Sequence, residues 1–205
     1  MRRHQVVLFG LTLLAGSAGR LLAQDTRIEA RLGPETAAAV AAIVDSARSE
    51  GLPGEPLVQR ALEGSAKGAD GERIVAAVRG LLTRLRAAHA ALGSKSSHAE
   101  LVAGAAALYV GAGSETLAGL RSTRGDEPVT IALVVLADLA KRGVSSDAIS
   151  EIMLELTEAG VTDASLEELR RLVEQDIRAG ATPGVAAATR AEGILSARPP
   201  RPPRR

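Results

Sequence analysis

Five times along this chain a glycine is followed by one aliphatic residue and then by a residue that opens helices. The five are Gly51-Leu52-Pro53, Gly68-Ala69-Asp70, Gly143-Val144-Ser145, Gly160-Val161-Thr162 and Gly180-Ala181-Thr182. Glycine takes the left-handed conformation that ends a helix, the aliphatic residue packs back on the last turn, and the third residue starts the next helix. Neighbouring junctions lie 17, 17 and 20 residues apart, so the unit is one short helix plus a turn. Such units stack as a small irregular solenoid or pack as an ordinary bundle, and the irregular stretch from Gly68 to Gly143 leaves both open.

Between these turns the aliphatic residues recur at helical rather than alternating spacing, which makes the chain all-α. Pro34 starts a helix whose face is Val40, Ile43, Val44 and Ala47, closed by Gly51. A second runs from near Pro56 to Gly68, and a third, capped by Asp70, carries the longest stripe, from Ile74 to Leu92. Ser97 and Glu100 have the spacing of a capping box and open a fourth helix on which Leu101, Val102, Ala105 and Leu108 follow. Gly111 and Gly113 end it, and Ser114 to Leu120 make a short fifth helix before a loop from Arg121 to Glu127. Val129 to Leu139 is apolar almost all round, as befits a helix at the centre of a core. Ile149, Ile152, Met153 and Leu156 mark the next helix, Ser165 with Glu168 gives a second capping box, and Pro183 to Leu195 form the last. The expectation is eight or nine short helices joined by tight glycine turns, as an irregular bundle or a short α-solenoid.

The two ends differ from this body. Arg2, Arg3 and His4 precede the apolar run Val6 to Leu14 and the small residues leading to Ala23, the pattern of an export signal. The run is too short for the roughly 20 apolar residues a membrane span needs, and Arg20 blocks its extension. Cleavage is expected after Ala23, with Gly19 as the other site. The organisation is therefore a signal peptide over 1–23, one helical domain over 24–197 and an extended Arg/Pro tail over 198–205. A periplasmic or secreted location follows, with no stable membrane span in the mature chain. An uncleaved N-terminal tether is the alternative.

Composition narrows the chemistry. There is no cysteine, which removes disulfides, thiol catalysis and thiolate metal sites. Three of the 25 Lys and Arg lie in residues 1–23, leaving 22 against 24 acids, and without the tail arginines the body holds 18 against 24. This mildly acidic body offers no basic face for nucleic acid. Tyr109 is the sole aromatic residue after the signal, so stacking on bases or glycans is disfavoured.

No catalytic, cofactor-binding or metal-ligating set emerges. His89 and His98 are nine residues apart, whereas two histidines on one helix that share a zinc ion stand three or four apart; they read as surface or helix-end residues. Gly111, Gly113 and Ser114 lack the lysine of a phosphate-binding loop and read as a helix stop followed by a serine cap. Glu151, Glu155, Glu158, Glu167, Glu168, Glu174 and Asp176 read as solvated faces of late helices. The candidate interaction residues are Arg198, Arg201, Arg204 and Arg205, suited to anionic polymers or an acidic partner, and Tyr109, an aromatic anchor.

The strings EGLPGEPLVQRALEGSAKG and ERIVAAVRGLLTRLRAAHAALG, and more loosely ADLAKRGVSSDAI, resemble uncharacterised exported helical proteins of GC-rich bacteria. That resemblance implies a helical exported fold and carries no activity. The function expected is a non-enzymatic interaction or scaffold protein of the bacterial envelope, with another envelope protein or an anionic polymer as partner. The alternative is a small-ligand binder or enzyme with a polar site between helices.

Overall fold

The computed structural model describes residues 26–197, so the signal segment 1–23 and the tail arginines Arg198, Arg201, Arg204 and Arg205 lie outside the described residues. Within them the chain is all-α. A helical segment at 26–29 precedes α1 (Pro34–Ser49), α2 (Glu55–Ala66), α3 (Gly71–Leu92), α4 (His98–Tyr109) and α5 (Ser114–Arg124). Then come α6 (Thr130–Lys141), α7 (Ser146–Glu158), α8 (Asp163–Arg178) and α9 (Pro183–Ser196), one element more than expected.

All five glycine junctions form the same turn. Gly51, Gly68, Gly143, Gly160 and Gly180 have φ between +70° and +100°. In each, the amide after the glycine bonds back to the carbonyl five residues before it, as in Val144 N to Leu139 O at 3.2 Å and Val161 N to Leu156 O at 2.9 Å. Gly111-Ala112 makes a sixth, with Ala112 N to Ala107 O at 3.1 Å. Asp70, Ser145 and Thr162 then cap the following helices through their side chains.

Three local expectations are corrected. Thr162 rather than Ser165 is the N-cap of α8, its hydroxyl accepting from Ser165 N at 3.3 Å, because the glycine turn at Gly160 places the helix start three residues earlier. Gly113 rather than Ser114 caps α5, so no hydroxyl serves there. The fifth helix continues to Arg124, where Gly125 ends it, instead of giving way to a loop at Arg121.

The main packing pairs join each helix to the next or to the next but one. Helices α1, α3, α5, α7 and α9 pack in series, as do α4, α6 and α8, with pairs such as α1–α2, α3–α4, α6–α7 and α8–α9 linking the two rows. This is the two-layered arrangement of a short solenoid. Its interior is two clusters. One gathers Ile28, Val40, Val44, Leu57 and Val58 with Ile74 to Leu85 of α3; the other centres on α6, α7 and α8, with Leu133, Leu136, Met153 and Leu169 fully buried. The α6 segment is thus the centre of one cluster rather than of a single core. Helices α3 and α4 serve both: Leu85 and Leu101 face the first, Leu92 and Ala107 the second. Among the described residues no helix is long and apolar enough to cross a membrane.

Candidate functional site

The fourth helix, HAELVAGAAALY, is apolar nearly all round, and the fold has to choose which side to cover. Leu101 and Ala105 go inward to one cluster, Ala103 and Ala107 to the other. Val102 is 39% exposed, because inward positions on both sides of the helix are already taken. Ala99 and Tyr109 are exposed and Ala106 half-buried, so Ala99, Val102, Ala106 and Tyr109 form one open stripe at helical spacing. Val102 and Tyr109 are two of the three exposed large hydrophobic residues among the described residues; Val185 on α9 is the third.

Ala99, Val102 and Ala106 of this stripe are the floor of a groove of about 590 Å³, and Tyr109 follows one turn beyond Ala106. Pro53, Glu55 and Pro56 at the start of α2 form one wall, and Val134, Asp138 and Lys141 of α6 form the other. Its entrance is fixed by His98, whose Nε2 lies 3.3 Å from the carbonyl of Gly51, so this histidine ties α4 to the first glycine turn. The rim charges are already matched, Glu55 with Arg27 at 3.2 Å and Asp138 with Arg170 at 3.0 Å. A larger hollow of about 860 Å³ between the 26–31 segment and α2 has its N-terminal wall at Thr26, where the described residues begin.

Tyr109 closes the far end of the stripe, and it is not alone there. The Arg84 guanidinium of α3 sits over its ring, 4.9 Å from the centroid, within cation–π range. Arg84 Nε is buried and has no hydrogen-bond partner, and no carboxylate among the described residues pairs with this side chain. Burial lowers the Arg84 pKa, the tyrosine opposes that shift, and the nearby Arg60 adds to it. Arg60 itself is held by Glu63 at 3.1 Å.

The α4 helix is anchored from behind by Glu100, the one buried charged residue among the described residues, at 5% exposure. Its Oε2 accepts from Ser97 N at 2.9 Å and from the Ser97 hydroxyl at 3.1 Å; its Oε1 accepts from Val129 N at 3.0 Å and from Arg121. Arg121 also donates to the carbonyls of Gly125 and Glu127, at 2.8 and 3.0 Å. Burial alone would raise the Glu100 pKa, and these donors together hold it below its ordinary value. With four donors on two oxygens this carboxylate is a stitch between α4, α5 and the start of α6.

Several other acids are paired with arginines. Asp176 receives a two-pronged bond from Arg190 at 2.6 and 2.7 Å, Glu168 pairs with Arg171, and Glu174 with Arg142 at 3.0 Å. Arg124 binds Asp163 at 2.6 Å in a polar hollow at the α7–α8 turn. No three metal-binding side chains converge among the described residues. No family model, curated protein or solved structure matches this chain.

Of the interaction residues expected from sequence, Tyr109 alone falls within the described residues, and it lies one turn beyond the groove's lining, at the end of the same stripe. Val102, Ala99, Ala106 and Arg84 were missed as site residues. The signal that finds the first three is the lack of any polar face on α4: a helix with apolar residues on every side, packed in an outer row, must show some of them.

Proposed function

We propose that this protein is an exported, non-catalytic interaction module that docks a partner on the outer face of α4. The observation that carries the reading is the open stripe whose Ala99, Val102 and Ala106 form the base of a groove walled by α2 and α6 and whose Tyr109 continues it one turn further. Contiguous exposed apolar surface set in a rigid frame is the usual mark of a binding face. The Glu100 stitch and the glycine turns supply the rigidity, and the signal-like residues 1–23 supply the route to the envelope.

Site-specific photocrosslinking tests it. A crosslinker placed at Val102 in cells is expected to capture a discrete envelope partner, while one at the exposed Ala42 on α1 captures none. Equal yields from both positions, or none from either, would remove the docking role. Mass analysis of the exported protein tests location separately: a chain starting at Gln24 is expected, and an intact chain confined to the cytoplasm refutes export.

A further inference from the structure

We propose that the partner segment seated in this groove is an amphipathic helix that carries a carboxylate at one end, received by Arg84 beside Tyr109. The inference rests on the docking role proposed above and adds the chemistry of the occupant. Its basis is an unmatched charge at the end of an apolar track.

Helix α4 has 12 residues and so presents a face about 18 Å long, about three turns of a facing helix. Its alanines at 99 and 106 let a partner backbone approach, and Val102 and Val134 offer ridges for aliphatic side chains. The floor holds no sheet edge, since there is no strand among the described residues, so an extended peptide would find no sheet to join there. A helix brings its own backbone partners. Closed burial of a lipid chain is disfavoured by the same openness, because Val102 keeps 39% and Tyr109 64% of their surface in water.

Charge gives the direction. The acids on the groove rim, Glu55 near His98 and Asp138 further along α6, are already paired. At the far end of the stripe Arg84 has the ring of Tyr109 on one side and no counter-charge. Gly80, one turn earlier on α3, faces the guanidinium with no side chain: a Cβ there would stand 3.5 Å from Nη1. A half-buried guanidinium without an acid is the arrangement a ligand carboxylate completes, and a two-pronged bond to it gives orientation as well as affinity. The carboxylate belongs to an Asp, a Glu or a chain terminus on the part of the helix nearest Tyr109.

The assay uses a property of this chain: Tyr109 is its single tyrosine and there is no tryptophan, so tyrosine fluorescence reports on this site alone. A display library of helical peptides about the length of α4, without aromatic residues, is selected on the full chain, and the winners are titrated by Tyr109 fluorescence. Aliphatic residues at i and i+3 or i+4 followed by an acid are expected. Arg84→Gln should weaken binding at least about tenfold, and replacing the peptide's acid by its amide should matter on the wild type and not on Arg84→Gln. Val102→Asp should abolish binding by both, with circular dichroism unchanged. Enrichment of peptides lacking an acid, or unchanged affinity in Arg84→Gln, overturns the anchor while leaving the groove in place if Val102→Asp still abolishes binding. Undiminished affinity in Val102→Asp overturns the docking face itself. No enrichment, or saturable binding of laurate with no peptide selected, overturns the helical occupant.

Discussion

Glu100→Gln isolates the stitch that holds the docking helix. The amide keeps the shape and loses one charge and one acceptor site. If its oxygen faces Val129 N and Arg121, its NH₂ points at Ser97 and the 2.9 Å bond from Ser97 N is lost; reversing it leaves Val129 N and Arg121 without an acceptor. Loss of the capping bond costs about 1 kcal/mol, and weakening the contact with Arg121, itself 21% exposed, adds about 1–2 kcal/mol. A total of about 2–3 kcal/mol lowers Tm by roughly 5–10 °C for a chain of this size. The sign with pH follows from the lowered pKa. A carboxylate held below its unfolded value contributes stability above that unfolded value, about 4.3, and loses it as pH falls toward the folded one. The gap between thermal melts of wild type and Glu100→Gln should therefore narrow as pH falls from 7 to 3. A gap that stays constant across this range, or no gap at pH 7, refutes the assignment of Glu100 as a charged stitch.

Glu50 makes a useful contrast, being a surface carboxylate whose hydrogen bond from Arg86 holds its pKa at about 2; Glu50→Gln should shift Tm less than Glu100→Gln and lose its effect in high salt. Gly104→Val should cost about 1–3 kcal/mol by chemical denaturation, because even a Cβ there would stand 3.0 to 3.2 Å from Ala88, Leu92 and Leu117 where α3, α4 and α5 meet. Gly51→Ala should cost about 1–2 kcal/mol by the same measurement through backbone strain alone, since its φ is +73° and nothing lies within 4 Å of the added methyl. Leu136→Ala, at 0% exposure on α6, should cost about 2–5 kcal/mol.

What a short window of sequence contains was readable from it. The glycine turns, the Asp70 cap and the Ser97–Glu100 box all satisfy their hydrogen bonds within six residues, so their letters suffice. The sixth turn at Gly111 was missed because its third residue, Gly113, has no side chain to cap with. At α8 two hydroxyls three residues apart, Thr162 and Ser165, both look like caps, and the preceding turn decides between them. The site was less visible. Tyr109 stood out by rarity, whereas the outward turn of Val102 depends on what α3, α5 and α6 present to α4. An apolar helix has no polar face to fix its rotation. The second role of Glu100 rests on Arg121 and Val129, 21 and 29 residues away, and the loneliness of Arg84 is a fact about neighbours that no local pattern encodes.

The two-row packing has a consequence for how such a chain comes into being. Each helix finds its principal partners among the two before it and the two after it. Loop closure is therefore short at every step, which favours rapid folding, and a helix entering last never has to thread into a finished interior. A polypeptide delivered end-first, whether from a ribosome or through a pore, can lay down α1 to α3 on the first cluster before α6 has emerged. The long α3 then serves as the template on which the second half begins.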